Sequence, residues 1–244
     1  MGLTVVGLGP GGGADLTGRA RAVLERCDLI VGYNTYLALL EGEFRQAQRM
    51  GSGMRQEVER CRAAVEAAVR GWSVVLVCSG DSGVYGMAAL AFEVAQEFPP
   101  IEIEVVPGIT AACGGAALLG APLTHDFAVV SLSDLMTPWE TIETRLRLAA
   151  RADFVLCLYN PASRARADYL RRACAILLEE KAPDTVCGYV RNIGRPGEEA
   201  HTCTLAELGA VPADMFTTVF VGNRQTKLLQ GKMVTPRGYF QRGE

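Results

Sequence analysis

Three short segments have the residue types to hold a small ligand through the main chain: Gly7-Leu-Gly-Pro-Gly-Gly12, Ser79-Gly-Asp81 and Pro107-Gly-Ile-Thr110. Glycine has no Cβ, so such loops adopt positive φ readily and let a ligand approach N–H and C=O groups directly. Each segment follows an apolar run that reads as a buried strand and precedes a helix-like stretch. In a parallel sheet the three converge along one edge, where open α/β folds bind ligands. No lysine occurs in any of them, which suits a ligand with an adenosine and an amino-acid end better than a polyphosphate. Asp81 is the one acid among them. It either faces a ligand cation or hydroxyl or caps its own turn, and the sequence leaves both readings open.

The first segment matches G-x-G-x-x-G, yet a dinucleotide fold fits it poorly. Pro10 removes a donor from the loop, the next helix begins only near Thr17, and the following strand ends in Gly32-Tyr33 rather than in an acid. A P-loop is excluded because no Gly-Lys-Ser/Thr follows. A plain tight turn remains open for this loop taken alone.

The elements that position these loops are legible from periodicity. Ala20, Val23, Leu24 and Cys27 lie on one helical face, and Leu29-Ile-Val31 follows as a strand. A polar connection containing Gly51 and Gly53 leads to a helix placing Val58, Cys61, Val65 and Val69 on one face, with Gly71 at its C′ position. Val74 to Cys78 reads as a strand buried on both faces, followed by a helix from Met87 to Gln96, a strand from Ile101 to Val106 and a small-residue helix from Ala111 to Leu119. Gly120-Ala-Pro122 closes this half, so two α/β domains are expected, 1–122 and 123–244, with the boundary near Pro122 to His125. In the second, Phe127 to Leu132 is a strand and Thr137-Pro-Trp-Glu140 reads as a capping box opening a helix that buries Trp139, Ile142, Leu146 and Ala149. Further strands are expected at Phe154–Leu158, Val186–Val190, Ala200–Cys203 and Thr217–Val221, with helices at Leu170–Leu178 and Leu205–Leu208 and some antiparallel pairing. The tail from Arg224 has no clear period.

With 244 residues, 49% hydrophobic content and a net charge of −3, the chain has ample core and no global attraction for nucleic acid or an anionic membrane. Any anionic ligand must be met by local arginines. Eight cysteines are scattered without C-x-x-C or neighbouring histidines, which predicts reduced, buried thiols, no metal site and a cytoplasmic protein. No apolar stretch approaches the ~20 residues of a membrane span.

The motifs together resemble a family. Gly9-Pro10-Gly11, Gly80-Asp81, Pro107-Gly108 with Thr110-Ala111, and Tyr159-Asn160-Pro161 resemble the tetrapyrrole methyltransferases, which move a methyl group from S-adenosylmethionine to intermediates of corrin and sirohaem synthesis. Val31-Gly-Tyr-Asn-Thr-Tyr36, Pro122-Leu-Thr-His-Asp-Phe127, Ser131-Leu-Ser-Asp-Leu-Met-Thr-Pro-Trp-Glu140, Val190-Arg-Asn-Ile-Gly-Arg195 and Phe220-Val-Gly-Asn223 are similar to the subgroup that methylates C-17 of precorrin-3B with ring contraction. The second loop departs from the wider group, reading Gly-Asp-Ser where Gly-Asp-Pro is common. The resemblance implies two α/β domains with the donor in the interdomain cleft. It implies donor contacts at Gly9, Pro10, Gly11, Ser79, Gly80, Asp81, Val84, Thr110, Ala111, Tyr159, Asn160, Gly188 and Asn192, with S-adenosylhomocysteine as product and a homodimer as the working form.

In-line methyl transfer from a sulfonium needs positioning more than an acid or a metal, and ring contraction adds the need for a base. His125 and Asp126, beside the expected boundary, are the first candidates for that base, with Asp81 a further catalytic candidate; an ordinary loop histidine is the alternative for His125. Ser133 and Asp134 read as helix caps. For the substrate, Tyr33, Tyr85 and Ser131 are candidate contacts, and Arg191 and Arg195 are candidate partners for its acetate and propionate groups. The same chemistry at C-11 or C-20, or a nucleotide-binding module without catalysis, are the competing functions.

Overall fold

Leu3, Val5 and Val6 are fully buried within β1 (Gly2–Gly7), and the chain leaves that strand through the first glycine loop. A computed structural model describes residues 2–163 and 166–239. It divides into two units, Met1–Ala111 and Ala112–Glu244.

In the first unit β1 is followed by α1 (Gly18–Leu24), β2 (Leu29–Tyr33), α2 (Asn34–Ala38), β3 (Gln48–Ser52), α3 (Glu57–Val69), β4 (Ser73–Cys78), α4 (Ala88–Ala95) and β5 (Ile103–Val106). The strands form one parallel sheet in the order β3-β2-β4-β1-β5. Its two faces are both covered, as parallel sheets require. Leu3, Val5, Leu29, Val31 and Leu76 pack against α3 and α4, while Val6, Ile30, Val75 and Val77 face α1 and α2. α1 starts where expected, Thr17 accepting the Ala20 N–H at 3.1 Å through its hydroxyl. α3 is turned relative to the expected face: Arg60, Cys61, Ala64, Val65 and Ala68 are inward, and Val58 and Val69 are exposed.

The second unit holds α5 (Ala111–Leu119) apart from its first residue, then β6 (Gly120–Ala121), β7 (Phe127–Ser131), α6 (Trp139–Arg151), β8 (Val155–Tyr159), α7 (Tyr169–Leu177), β9 (Val186–Arg191), β10 (Glu199–Thr204), α8 (Leu205–Leu208) and β11 (Thr217–Val221). Its main sheet runs β10-β9-β11-β8-β7, parallel between β7 and β8 and antiparallel elsewhere. The tail is not patternless: β12 (Lys227–Leu229) and β13 (Lys232–Val234) form a hairpin, and β13 adds in parallel to β6. The division therefore falls about ten residues before the expected boundary. α5 and β6 are held from the second unit's side, where the Tyr159 hydroxyl accepts the Ala112 N–H at 2.7 Å and Met233 pairs with Gly120. The expected capping box before α6 is absent, for Pro138 is the N-cap and no side chain caps it. Ala150, rather than Ala149, completes the buried face. A real capping box opens α8, between Thr204 and Glu207.

No helix among the described residues is long and apolar enough to cross a membrane. The cysteines are free, six of them buried, and Cys113 is exposed. Burial pushes the thiols of Cys27, Cys61 and Cys203 up to about 11 and those of Cys78, Cys157 and Cys174 to about 12. Thiolate is the reactive form. The native protein at pH 8 is accordingly expected to react with about one equivalent of thiol reagent, at Cys113; two or more fast equivalents would contradict the burial or half-burial of the others.

Candidate ligand site at the glycine loops

Strands β4, β1 and β5 are direct neighbours, so the loops leaving their C-terminal ends meet at one edge of the first unit. The meeting is tight. Gly9 N donates to Gly80 O at 3.0 Å and Gly80 N to Gly9 O at 2.7 Å, an antiparallel bridge between two loops. Asp81 ties the second loop to itself and to the third: Oδ1 accepts the N–H groups of Gly83 and Val84 at 2.8 and 3.1 Å, and Oδ2 accepts that of Gly108 at 2.9 Å. The Ser82 hydroxyl adds a buried bond to Val106 O at 3.1 Å. A Cβ on Gly108 would lie 2.6 Å from the carbonyl carbon and oxygen of Gly7 and closer still to Gly80 O. Gly9 has φ +77° and a Cβ there would stand 2.7 Å from that of Asp15. The result is a shelf of main-chain groups in which Pro10 and Gly11 are buried and Ser79, Val84, Thr110 and Ala111 are half-buried. Tyr85 projects from the same edge, 58% exposed, with a φ of 53° that bulky residues rarely adopt. Both carboxylate oxygens of Asp81 are engaged with the backbone, so its observed work is to hold the loops.

In the second unit β7, β8 and β9 run in one direction, and Ser131, Tyr159, Asn160, Arg191 and Asn192 share the edge at their C-terminal ends. Asn160 turns the chain with φ 53° and donates through Nδ2 to Ser131 Oγ at 2.9 Å. Asn192 has φ 52° and its side chain donates to Gly197 O at 3.2 Å. Gly188 lies inside β9, opposite Thr202 and Phe220, with Leu119 packed over it. The Tyr159 hydroxyl is engaged by Ala112.

Several expected residues have other occupations. Arg191 reaches Asp214 at 3.5 Å and Glu199 at 3.9 Å, and its Nε is buried without a partner; Arg195 lies over Phe216, 5.1 Å from the ring centroid. Asp134 does not cap a helix. It accepts the Tyr169 hydroxyl at 2.6 Å and pairs with Arg166 at 3.0 Å, interactions that hold its carboxyl below the usual range, the Tyr169 bond most of all. Arg166 also donates to the Ser133 hydroxyl at 2.9 Å. His125 and Asp126 precede β7, where Asp126 O accepts Val155 N at 3.1 Å. β7 is five residues of extended chain, about 16 Å at ~3.3 Å each, with Asp126 before its first residue and Ser131 its last, so His125 and Asp126 sit at the sheet edge opposite Asn160. A cavity of about 480 Å³ lies among other groups of the second unit, lined by Asp153, Lys181, Asp184, Asn223 and Arg224. Lys181 is buried there 3.4 Å from Asp153, and desolvation lowers its pKa.

One charged residue at the first unit's loop edge escapes periodicity analysis. Arg60 is 5% exposed beside Tyr33, its guanidinium carbon 5.8 Å from the ring centroid. Tyr33 itself stacks edge-on with Tyr36 at 5.2 Å.

Comparison with known proteins gives a consistent answer. Residues 2–209 match the family described as Tetrapyrrole (Corrin/Porphyrin) Methylases. A probable cobalt-factor III C(17)-methyltransferase of Salmonella typhimurium is 45% identical over 97% of this chain and 99% of its own length. Among solved structures, that of the methyltransferase CobJ superposes with a TM-score of 0.90 at 39% identity, covering 96% of this chain and 99% of that one. A uroporphyrin-III C-methyltransferase from Thermus thermophilus, solved with S-adenyl homocysteine, shares the fold at a TM-score of 0.71 and 23% identity, covering 91% of this chain and 97% of that one.

Proposed function

The chain belongs to the tetrapyrrole methylases, and on that premise we propose that it transfers a methyl group from S-adenosylmethionine to C-17 of precorrin-3B or its cobalt-bearing counterpart, with contraction of the ring, in cobalamin synthesis. The observation that carries the reading is the joining of the three glycine loops through Gly9, Gly80, Asp81 and Gly108 into one shelf of backbone groups. That donor set is mostly uncharged. It suits a nucleoside with an amino-acid end and would be a poor host for a triphosphate, which calls for a lysine. The cobalt-factor III activity in the name of the Salmonella relative supports the C-17 position and favours the cobalt-bearing substrate.

Bound at this shelf through Gly9 to Gly11, Ser79 to Asp81, Val84, Thr110 and Ala111, the donor supplies an electrophilic methyl group on a sulfonium. The protein's part is orientation, which can be worth several kcal/mol of the barrier when the reacting atoms are held in line. Asp81 contributes by fixing two loops against each other, a positioning role. Tyr85 and Tyr33, at the same edge, present rings and hydroxyls to a flat macrocycle. Work as a homodimer in the cytoplasm completes the proposal, following the family resemblance.

The test is incubation with donor labelled in the methyl group and either metal-free or cobalt-bearing substrate, the product being located by mass and NMR. Label at C-17 is expected, with the cobalt form the better substrate; label at C-11 or C-20 refutes the assignment. His125→Ala is expected to keep its turnover within about twofold of the parent, since that residue lies at the edge of β7 remote from Asn160. A fall of a hundredfold with unchanged donor affinity would restore it as the base.

A further inference from the structure

Arg60 is a buried cation whose protein partners are all neutral. Its Nε donates to Ser52 Oγ at 2.7 Å, its Nη2 donates to Gly53 O at 2.8 Å, and its guanidinium rests against the Tyr33 ring. Among the described residues no aspartate or glutamate pairs with it, and Nη1 has no protein acceptor and is not fully enclosed. Guanidinium stays charged at any physiological pH, and a buried charge without a counter-ion is costly. The fold accepts that cost at a particular place. Tyr33 and Ser52 are register partners at the C-terminal ends of β2 and β3, the same sheet edge that carries the glycine loops. β2 borders β4, and the charge bears on Cys78, the residue before Ser79, whose thiol it acts to lower against the larger effect of burial. Two carboxylate-bearing molecules come to that edge under the function proposed above: the donor, through its amino-acid end, and the macrocycle, through its acetate and propionate arms.

From this juxtaposition of an uncompensated buried guanidinium with an aromatic face at the loop edge, we infer that Arg60 binds a carboxylate arm of the tetrapyrrole substrate while Tyr33 supports the adjoining apolar surface. This inference rests on the reading of the chain as a tetrapyrrole methyltransferase. The macrocycle is favoured over the donor because the Arg60 guanidinium is anchored at the ends of β2 and β3, by Tyr33, Ser52 and Gly53, whereas the shelf is made by the loops of β4, β1 and β5. The free Nη1 and the remaining Nη2 proton supply the two parallel donors that carboxylates accept.

The full chain and its Arg60→Met and Arg60→Gln variants are compared in three measurements: affinity for uroporphyrin III by fluorescence over a range of sodium chloride, affinity for S-adenosylhomocysteine by calorimetry, and thermal unfolding. Uroporphyrin III is the probe because it bears eight carboxylates on a macrocycle. Either variant is expected to bind it at least tenfold more weakly and with a shallower salt dependence, one screened ion pair having been removed, while S-adenosylhomocysteine affinity stays within twofold. Arg60→Gln keeps a donor for Ser52 and carries the comparison if the methionine variant does not fold. Unchanged uroporphyrin affinity and salt dependence overturn the inference, as does a tenfold loss confined to S-adenosylhomocysteine, which would give the guanidinium to the donor. A parent protein that binds neither molecule refutes the function itself and this inference with it.

Discussion

Gly108→Ala is expected to abolish measurable S-adenosylhomocysteine binding and to destabilise the first unit by roughly 3 kcal/mol, the upper range for forcing extra volume into a packed site. The reason is geometric. The added methyl would stand 2.6 Å from backbone atoms of Gly7 and nearer still to Gly80 O, so relief demands parting β1 from the loops of β4 and β5 rather than turning a side chain. Loss of the Gly108 N–H bond to Asp81 follows from the same displacement. Gly12→Ala is the control within the same region. That residue has φ −95° and open space where a Cβ would sit, and the variant is expected within ±0.5 kcal/mol of the parent with its affinity intact. Calorimetry with S-adenosylhomocysteine and urea unfolding read both. Normal affinity in Gly108→Ala would remove the donor from these loops.

The second large effect is expected at Asp81. In Asp81→Asn the amide oxygen can keep the N–H groups of Gly83 and Val84, but the amide nitrogen then faces the Gly108 N–H, donor against donor. A charge-assisted bond is worth about 1.5–3 kcal/mol and an unpaired partner adds its own penalty. We expect tenfold or weaker binding of S-adenosylhomocysteine and a stability loss of about 2 kcal/mol. The choice of ligand separates the two roles open for this residue. A base or acid acting on the substrate would leave affinity for the inert product untouched and lower turnover alone, whereas a residue that braces the loops changes the affinity itself.

Much of the fold was legible because its strands are continuous apolar runs and its helices amphipathic. The apolar run Val74 to Cys78 and the small-residue span Ala111 to Leu119 mark their elements to the residue or within one of it. β3 leaves no signal in the sequence for a physical reason: Gln48-Arg-Met-Gly-Ser52 is an exposed edge strand, held by parallel pairing to β2 alone, and carries neither an apolar run nor an alternating pattern. The tail hairpin escaped likewise, since the residues of β12 are all exposed. Thr137-Pro-Trp-Glu140 looked like a capping box because residue types were right, but Pro138 itself takes the cap position. At the site, glycine spacing disclosed the loops, since their function is backbone approach. It could not disclose Arg60, which enters the protein on a helical face whose other inward members are apolar, and whose meaning depends on the missing counter-charge. Nor could it place His125 along β7, for nearness in sequence to a boundary says nothing about which end of a sheet a residue occupies.

The strand order also sets a schedule for making this protein. β1 lies between β4 and β5, both of which follow it by long stretches of chain, so as the ribosome proceeds an apolar strand is exposed with both edges unpaired until Ser73 and then Ile103 have emerged. Such intervals invite wrong partners. The shelf of glycine loops is consequently among the last features of the first unit to mature, complete only once the chain has extended past Gly108.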